Sequence, residues 1–174
     1  MTNATTMTQE QVLEMVKALD PKNFEYIVKN HRISGIIEDV VRTSGKLQIV
    51  EMYLENLKEE VENFSKRNLV PSNVEVGMGA TQILWSDRRA FTIIKKTAKS
   101  ITIQRDNATK TFKPEFVTGG FAGHCTNNDD QTYEYEANPN GETVTYRWSE
   151  KHQRYQNNYS SLIGGRHEKY DYNF

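Results

Sequence analysis

Residues 81–104 read TQILWSDRRAFTIIKKTAKSITIQ. Three runs within the stretch, TQILW, AFTIIK and SITIQ, alternate or cluster β-branched and aromatic residues, the pattern of strands whose successive side chains point to opposite faces. Ser86-Asp87 makes a turn between the first two runs, and Arg88 and Arg89 follow it. The stretch therefore predicts antiparallel strands with short connections. The same period appears in VEVGM (74–78), QTYEYEA (131–137), TVTYRWS (143–149) and the closing HEKYDYNF (167–174). Asn138-Pro139-Asn140-Gly141 predicts a tight hairpin turn, since Asn-Gly accepts the positive φ angles such turns need. About 100 residues of short strands predict a small antiparallel barrel or strongly bent sheet.

Upstream of residue 74 the period changes. Thr8-Gln9-Glu10-Gln11 fits a capping box, and Val12, Leu13, Val16 and Leu19 follow at helical spacing. Asp20-Pro21 ends that helix and can cap a short second one around residues 21–29. Ile33, Val40, Leu47, Leu54 and Val61 then recur every seven residues, and Ile36, Thr43, Val50, Leu57 and Phe64 form a parallel series. This a/d pattern predicts a helix of about 32 residues, roughly 48 Å long. Two ways of covering its apolar stripe follow: a coiled-coil oligomerisation arm, or antiparallel packing against the first two helices of the same chain. Gly45 with Thr43-Ser44 weakens the middle and leaves room for two shorter helices. The expected fold is α+β: a helical oligomerisation arm over residues 1–68, a linker over 69–73 containing Pro71, and an antiparallel β ligand-binding domain over 74–174.

Bulk properties narrow the function classes. Hydrophobic residues make up 36% of 174 and mean hydropathy is -0.75, so the core is small and subunit contacts would help it. A formal net charge of -1 argues against bulk attraction to nucleic acid or membrane. Residues 71–118, however, hold 8 Lys/Arg against 4 Asp/Glu, a net of +4, and are the place for an anionic partner. One cysteine excludes an internal disulfide and suggests a reducing compartment. MTNATTMTQEQ has no apolar signal segment, and no run reaches membrane-spanning length. A cytoplasmic protein is expected.

The most reactive-looking stretch is FVTGGFAGHCTNNDDQ (116–131), where His124 adjoins Cys125. Neighbours in a strand face opposite ways, so His124 is a poor base for a Cys125 nucleophile. His31, His152 and His167 show no ligand spacing with Cys125 or each other, which argues against a metal. No carboxylate pair resembles an acid–base dyad. No catalytic residue, metal or cofactor is expected. Two readings of the stretch remain: a glycine-rich loop around a small buried thiol, or a binding loop in which Gly119, Gly120 and Gly123 allow close approach, Phe121 has a free ring, and Asn127 or Asn128 adds polar contacts. Arg88 and Arg89 beside their turn suit bidentate phosphate binding, and Arg166 after two glycines could reach an anionic ligand. Lys95, Lys96, Lys99, Arg105, Lys110 and Lys113 read mainly as a solvated edge. Arginine among aromatics, as in Tyr146-Arg147-Trp148, is also what stacks on nucleobases.

From residue 74 to 174 the string VGMGAT…WSDRRAFTII…ITIQRDNA…GGFAGHCTNN…QTYEYEANPNGETVTYRW…GGRHEKYDYNF resembles a small-protein family widespread in phages and prophages. The helix-then-β layout is also similar to the phage anti-Thoeris sponges. Those are non-enzymatic oligomers that sequester cyclic ADP-ribose-type signals, and some also bind cyclic oligonucleotides. The resemblance implies that Arg88, Phe121 and Arg166 contact ligand. It implies a phage anti-defence protein that is not an enzyme, that forms a homo-oligomer through its N-terminal helices, and that captures a nucleotide-type ligand. Two alternatives stand beside it: a phage inhibitor that binds a host defence protein directly, and a small RNA- or DNA-binding module.

Overall fold

The computed structural model describes residues 6–118 and 123–173. The chain divides into two units, Met1–Asn73 and Val74–Phe174. Among the described residues no helix is long and apolar enough to cross a membrane.

In the first unit, α1 (Gln9–Leu19) opens with the capping box: Thr8 Oγ1 accepts from the Gln11 backbone N–H at 3.3 Å while Gln11 Oε1 accepts from that of Thr8 at 2.8 Å. The Asp20 carboxylate ends it and accepts both the backbone and side-chain amides of Asn23, just ahead of the short α2 (Phe24–Ile27). The expected 32-residue helix is two helices, α3 (His31–Thr43) and α4 (Leu47–Arg67). The break has a local cause. Thr43 Oγ1 donates to the Asp39 carbonyl at 2.7 Å, Ser44 Oγ donates to that of Val41 at 2.9 Å, and the Lys46 N–H closes a turn onto the Thr43 carbonyl. Hydroxyls thus compete for the helix carbonyls, and Gly45 follows as a poor helix former.

Once broken, the helix folds back on itself. Arg32, near the start of α3, reaches Glu60, near the end of α4, at 2.8 Å; Arg67 meets the same carboxylate at 3.1 Å. Ile33, Ile36, Val40 and Thr43 of α3 and Val50, Leu57, Val61 and Phe64 of α4 are buried, as are Val12 and Val16 of α1. Of the two ways to cover the heptad stripe, the chain uses packing among α1, α3 and α4. Met15, Leu19, Ile49 and Met52 stay exposed. The segment read as a linker is held: Leu69 and Val70 are buried, and Asn73 Oδ1 accepts from the Val70 N–H at 2.9 Å.

The second unit contains β1 (Gly79–Ile83), β2 (Arg88–Lys96), β3 (Ser100–Arg105), β4 (Asn107–Lys110), β5 (Phe116–Val117), β6 (His124–Cys125), β7 (Tyr133–Glu136), β8 (Thr143–Ser149), β9 (Arg154–Gln156) and β10 (Ser161–Gly164). Six of them close an antiparallel barrel in the order β1-β10-β9-β8-β3-β2, so the fold is α+β with a small barrel. Cross-strand pairs fill it: Ala80 with Phe91, Ile93 with Ile103, and Ile101 with Tyr146, all buried. The buried Tyr146 hydroxyl meets Gln82 Nε2 at 2.7 Å and Ser160 Oγ at 2.6 Å, which satisfies it inside the barrel.

Between β3 and β8 the chain leaves the barrel to form two smaller ladders, β4 with β7 and β5 with β6. The turn at Asn138–Gly141 is present, with the Gly141 N–H on the Asn138 carbonyl at 2.9 Å. It connects a ladder strand to a barrel strand, so it does not make the expected hairpin. Among the described residues only Gly77, Gly165 and Gln153 have positive φ. Gly141 is required instead by close approach, since a Cβ there would lie 2.2 Å from the Arg105 carbonyl oxygen. VEVGM forms no strand. The closing residues, expected as a last strand, form no strand among the described residues and pair with the barrel by an isolated bridge, Arg88 to Lys169.

Those closing residues form a strap. Thr81 Oγ1 donates to the Gly165 carbonyl at 2.8 Å and accepts from the His167 N–H at 2.9 Å. Glu168 accepts the Ala90 N–H at 2.8 Å and Arg105 at 2.5 Å. Asn173 brackets Cys125, accepting its N–H at 2.7 Å and donating to its carbonyl at 3.0 Å. Outward-facing Thr81 and Ala90 are fully buried.

Candidate functional site

Two hairpins of the barrel are built alike. In the first, the Leu84 N–H donates to the Asp87 carbonyl at 3.0 Å and leaves Trp85-Ser86 as a two-residue tip. Asp87 Oδ1 accepts the Asp171 N–H at 2.9 Å, which fixes the base of the turn. In the second, the Asn157 N–H donates to the Ser160 carbonyl at 3.0 Å, with Asn158-Tyr159 as the tip. Asn157 Oδ1 accepts the N–H groups of Tyr159 and Ser160, each at 2.9 Å, the local bonding that suits asparagine to turns. Ile83 pairs with Ser161, so the two tips sit at the same end of the barrel.

Each tip displays an aromatic ring to solvent: Trp85 is 92% exposed and Tyr159 is 90% exposed. Large rings carry much of the apolar area that folding normally buries. Two of them are held out by ordered turns at one barrel end, an exposed apolar surface of the kind that marks interaction sites.

The register extends this surface. Arg88 pairs with Ile83, Ile83 with Ser161, Ser161 with Gln156 and Gln156 with Arg147, one outward-facing row across five strands. Arg154 lies two residues before Gln156 and shares its face. Two concavities meet along the row. One of about 410 Å³ is lined by Ile83, Trp85, Arg154, Gln156, Tyr159 and Ser161 among others. The other, about 510 Å³, includes Thr145, Arg147, Trp148, Gln156 and Tyr159. The Arg88 and Arg147 side chains have no partner among the described residues, and Arg154 Nε donates to Gln156 Oε1 at 3.1 Å. The face therefore combines exposed rings, guanidinium groups and side-chain amides.

The residues singled out in the sequence do not converge on one point. Arg88 lies on the row. Arg89 points to the other face of β2, in register with Gln82, and is exposed. Arg166 is engaged on the strap side: its Nε meets Asp106 at 2.9 Å and its Nη2 meets Thr92 Oγ1 at 2.7 Å, where the Asp106 side chain is 1% exposed. Asn127 pins its own loop, accepting the Glu115 N–H at 2.9 Å and the Cys125 thiol at 3.3 Å while donating to the Lys113 carbonyl at 2.9 Å. Phe121 lies outside the described residues. Cys125 is buried, and His124, its neighbour in β6, is exposed. Among the described residues no group of three or more His, Cys, Asp or Glu could hold a metal ion. From the cationic run, Lys110 sits 5.7 Å over the Phe112 ring and 5.6 Å over that of Tyr172.

Sequence alone does not single out Arg154, places Tyr159 among many core or cross-strand aromatics, and groups Arg147 with its flanking rings and not with Tyr159. Asn157-Asn158-Tyr159-Ser160 carries a turn signal, but only the register places its tip beside Trp85. Compared with protein-family models, curated proteins and solved structures, the chain matches none.

Proposed function

We propose that the barrel is a non-enzymatic binding module that captures a ligand carrying both a nucleobase and phosphate on the row from Arg88 to Arg147. One observation carries this reading: Trp85 and Tyr159 are held out at 92% and 90% exposure over concavities lined by Arg154 and Arg147, with Arg88 paired to Ile83 at the base of the Trp85 hairpin. Exposed rings stack on bases, while guanidinium groups bind phosphate bidentately. In the form that the resemblance implies, the ligand is a nucleotide-derived signal and the protein is a phage anti-defence sponge that holds it without turnover. Self-association through the helices is part of the same proposal. An apolar groove lined by Met15, Ala18, Leu19, Leu54 and Leu57 is the surface left for it, and light scattering tests it: a monomeric mass removes that element.

The capture itself is tested by titrating the full chain with AMP, cyclic AMP, a cyclic dinucleotide and an oligonucleotide. Tryptophan emission is read, and the ligand is recovered after heating. Quenching that disappears in Trp85→Phe, with ligand recovered unchanged, supports the reading. Absence of binding to every probe overturns it, and so does binding that survives Trp85→Ala combined with Arg154→Ala. Chemically altered ligand would mean an enzyme.

A further inference from the structure

We infer that the occupant of this face is a linear single strand of nucleic acid lying across several barrel strands. The inference rests on the nucleotide reading above and narrows it. Its first ground is length. Paired strands lie about 4.8 Å apart, so the four steps from Arg88 through Ile83, Ser161 and Gln156 to Arg147 cover about 19 Å around the barrel. Stacked nucleotides advance about 3.4 Å each, so about six of them span the row. A single nucleotide or a compact cyclic one uses one part of it and leaves the rest bare.

The row also continues past Arg147. Arg147 pairs with Ser100, and on that same outward face of β3 Thr102 pairs with exposed Lys95 of β2, while Lys96, opposite the buried Ile101, is held on the Val74 carbonyl at 2.7 Å. The Trp148 N–H donates to the Lys99 carbonyl at 2.9 Å, which places exposed Lys99 at the same end. Cations thus follow the path instead of ringing one point, as a polyanion requires.

The second ground is the pair of rings. Bases inside a duplex have their faces covered by their neighbours, whereas an unpaired strand offers them freely. Trp85 and Tyr159 stand on separate hairpins and can each take one base. Stacking of this kind tolerates any sequence, because every base has a π-face. The polar groups along the row, among them Gln156, Asn158 and Thr145, are exposed or half-buried side chains with no rigid base-reading array. Small barrels that work this way cover about 4–16 nucleotides.

The test is fluorescence anisotropy of the full chain with fluorescein-labelled dT2, dT4, dT6 and dT12, the matching oligouridylates, a 12-base-pair hairpin duplex and a labelled cyclic dinucleotide. Affinity is expected to climb steeply from dT2 to dT6 and to exceed that for the duplex and the cyclic dinucleotide. With Arg88, Arg147 and Arg154 on phosphates, log affinity should fall with log salt at a slope of about -2, and each Arg→Ala should remove about 0.7 of it. Trp85→Ala and Tyr159→Ala should each weaken dT6 by about 5- to 150-fold. Phe116→Ala, an exposed ring on β5, should change nothing. Tighter binding of the uridylates assigns RNA and of the thymidylates DNA; either supports the inference. A cyclic dinucleotide or dT2 binding as tightly as dT6 overturns it, as does equal binding of the duplex or a salt slope untouched by the arginine variants. If short and cyclic nucleotides bind at Trp85 without length dependence, the nucleotide reading stands and the strand falls. If no probe binds, both fall.

Discussion

The outer surface of this barrel has two halves that treat the same side chain in opposite ways. Over β1 and β2 the closing strap covers the sheet, and its arginine is used up: Arg166 is bonded to Asp106 and Thr92, and Arg105 to Glu168. On β8 and β9 the outward-facing Arg147 and Arg154 are exposed, and Arg147 has no partner among the described residues and shares a concavity with the displayed Tyr159 ring. A charge with a buried partner contributes to folding, whereas a charge left in solvent contributes little there and is available for a ligand. The difference separates arginines engaged in the fold from arginines left open to solvent, without reference to sequence position.

Substitutions can break that contrast, and Arg166→Ala should have the largest effect. It leaves a carboxylate that is 1% exposed with the Thr92 hydroxyl but no cation, and removal of one partner of a buried pair costs about 3 kcal/mol; urea denaturation would measure it. Loss of less than about 1 kcal/mol would mean that the strap is not structural. Glu168→Ala comes next, because it leaves the Ala90 N–H unpaired and Arg105 with the Ala90 carbonyl alone. A loss of about 2 kcal/mol is expected by the same assay.

A smaller effect should appear at alkaline pH. Burial, with Tyr172, Glu168, Tyr135 and Asp87 around it, pushes the Tyr133 phenol up to about 12 from its ordinary 10. A raised pKa means that the unfolded chain gives up this proton first. The contribution is therefore complete below pH 10 and is lost as pH rises from 10 towards 12. Urea midpoints should fall across that window, and more steeply than in Tyr133→Phe. The smallest effect on stability belongs to Arg147→Ala and Trp85→Ala, each within about 0.5 kcal/mol of the parent. A larger loss in either would show that the open face is also structural.

The contrast also explains how much could be read beforehand. Alternation in AFTIIK, SITIQ and TVTYRWS gives β2, β3 and β8, because those strands bury one face along their length. β9 and β10 escaped, since RYQNNYSSLIGG is short, polar and interrupted by a turn. The heptad stripe was legible as an apolar surface. Whether a partner or the same chain covers it depended on the hydroxyl bonds of Thr43 and Ser44, which periodicity does not reveal. Arg88 and Arg166 look alike as arginines beside turns. Only the fold shows that one lies on an open row and that the other meets Asp106, 60 positions away in the chain. Tyr159 was one tyrosine among nine until strand pairing set it next to Trp85.

Closure of the barrel has a consequence for the order in which the molecule forms. The helical unit is complete by Asn73 and can fold while the rest is being synthesised. β1 cannot: its two neighbours are β2, which follows at once, and β10, which begins at Ser161. Until that last strand emerges, one side of β1 is an open edge, the kind of surface on which nascent chains join wrongly. Loop closure over so long a separation is also slow. The strap then seals the seam between β1 and β2 after the barrel shuts, so residues beyond β10 are among those that fasten β1.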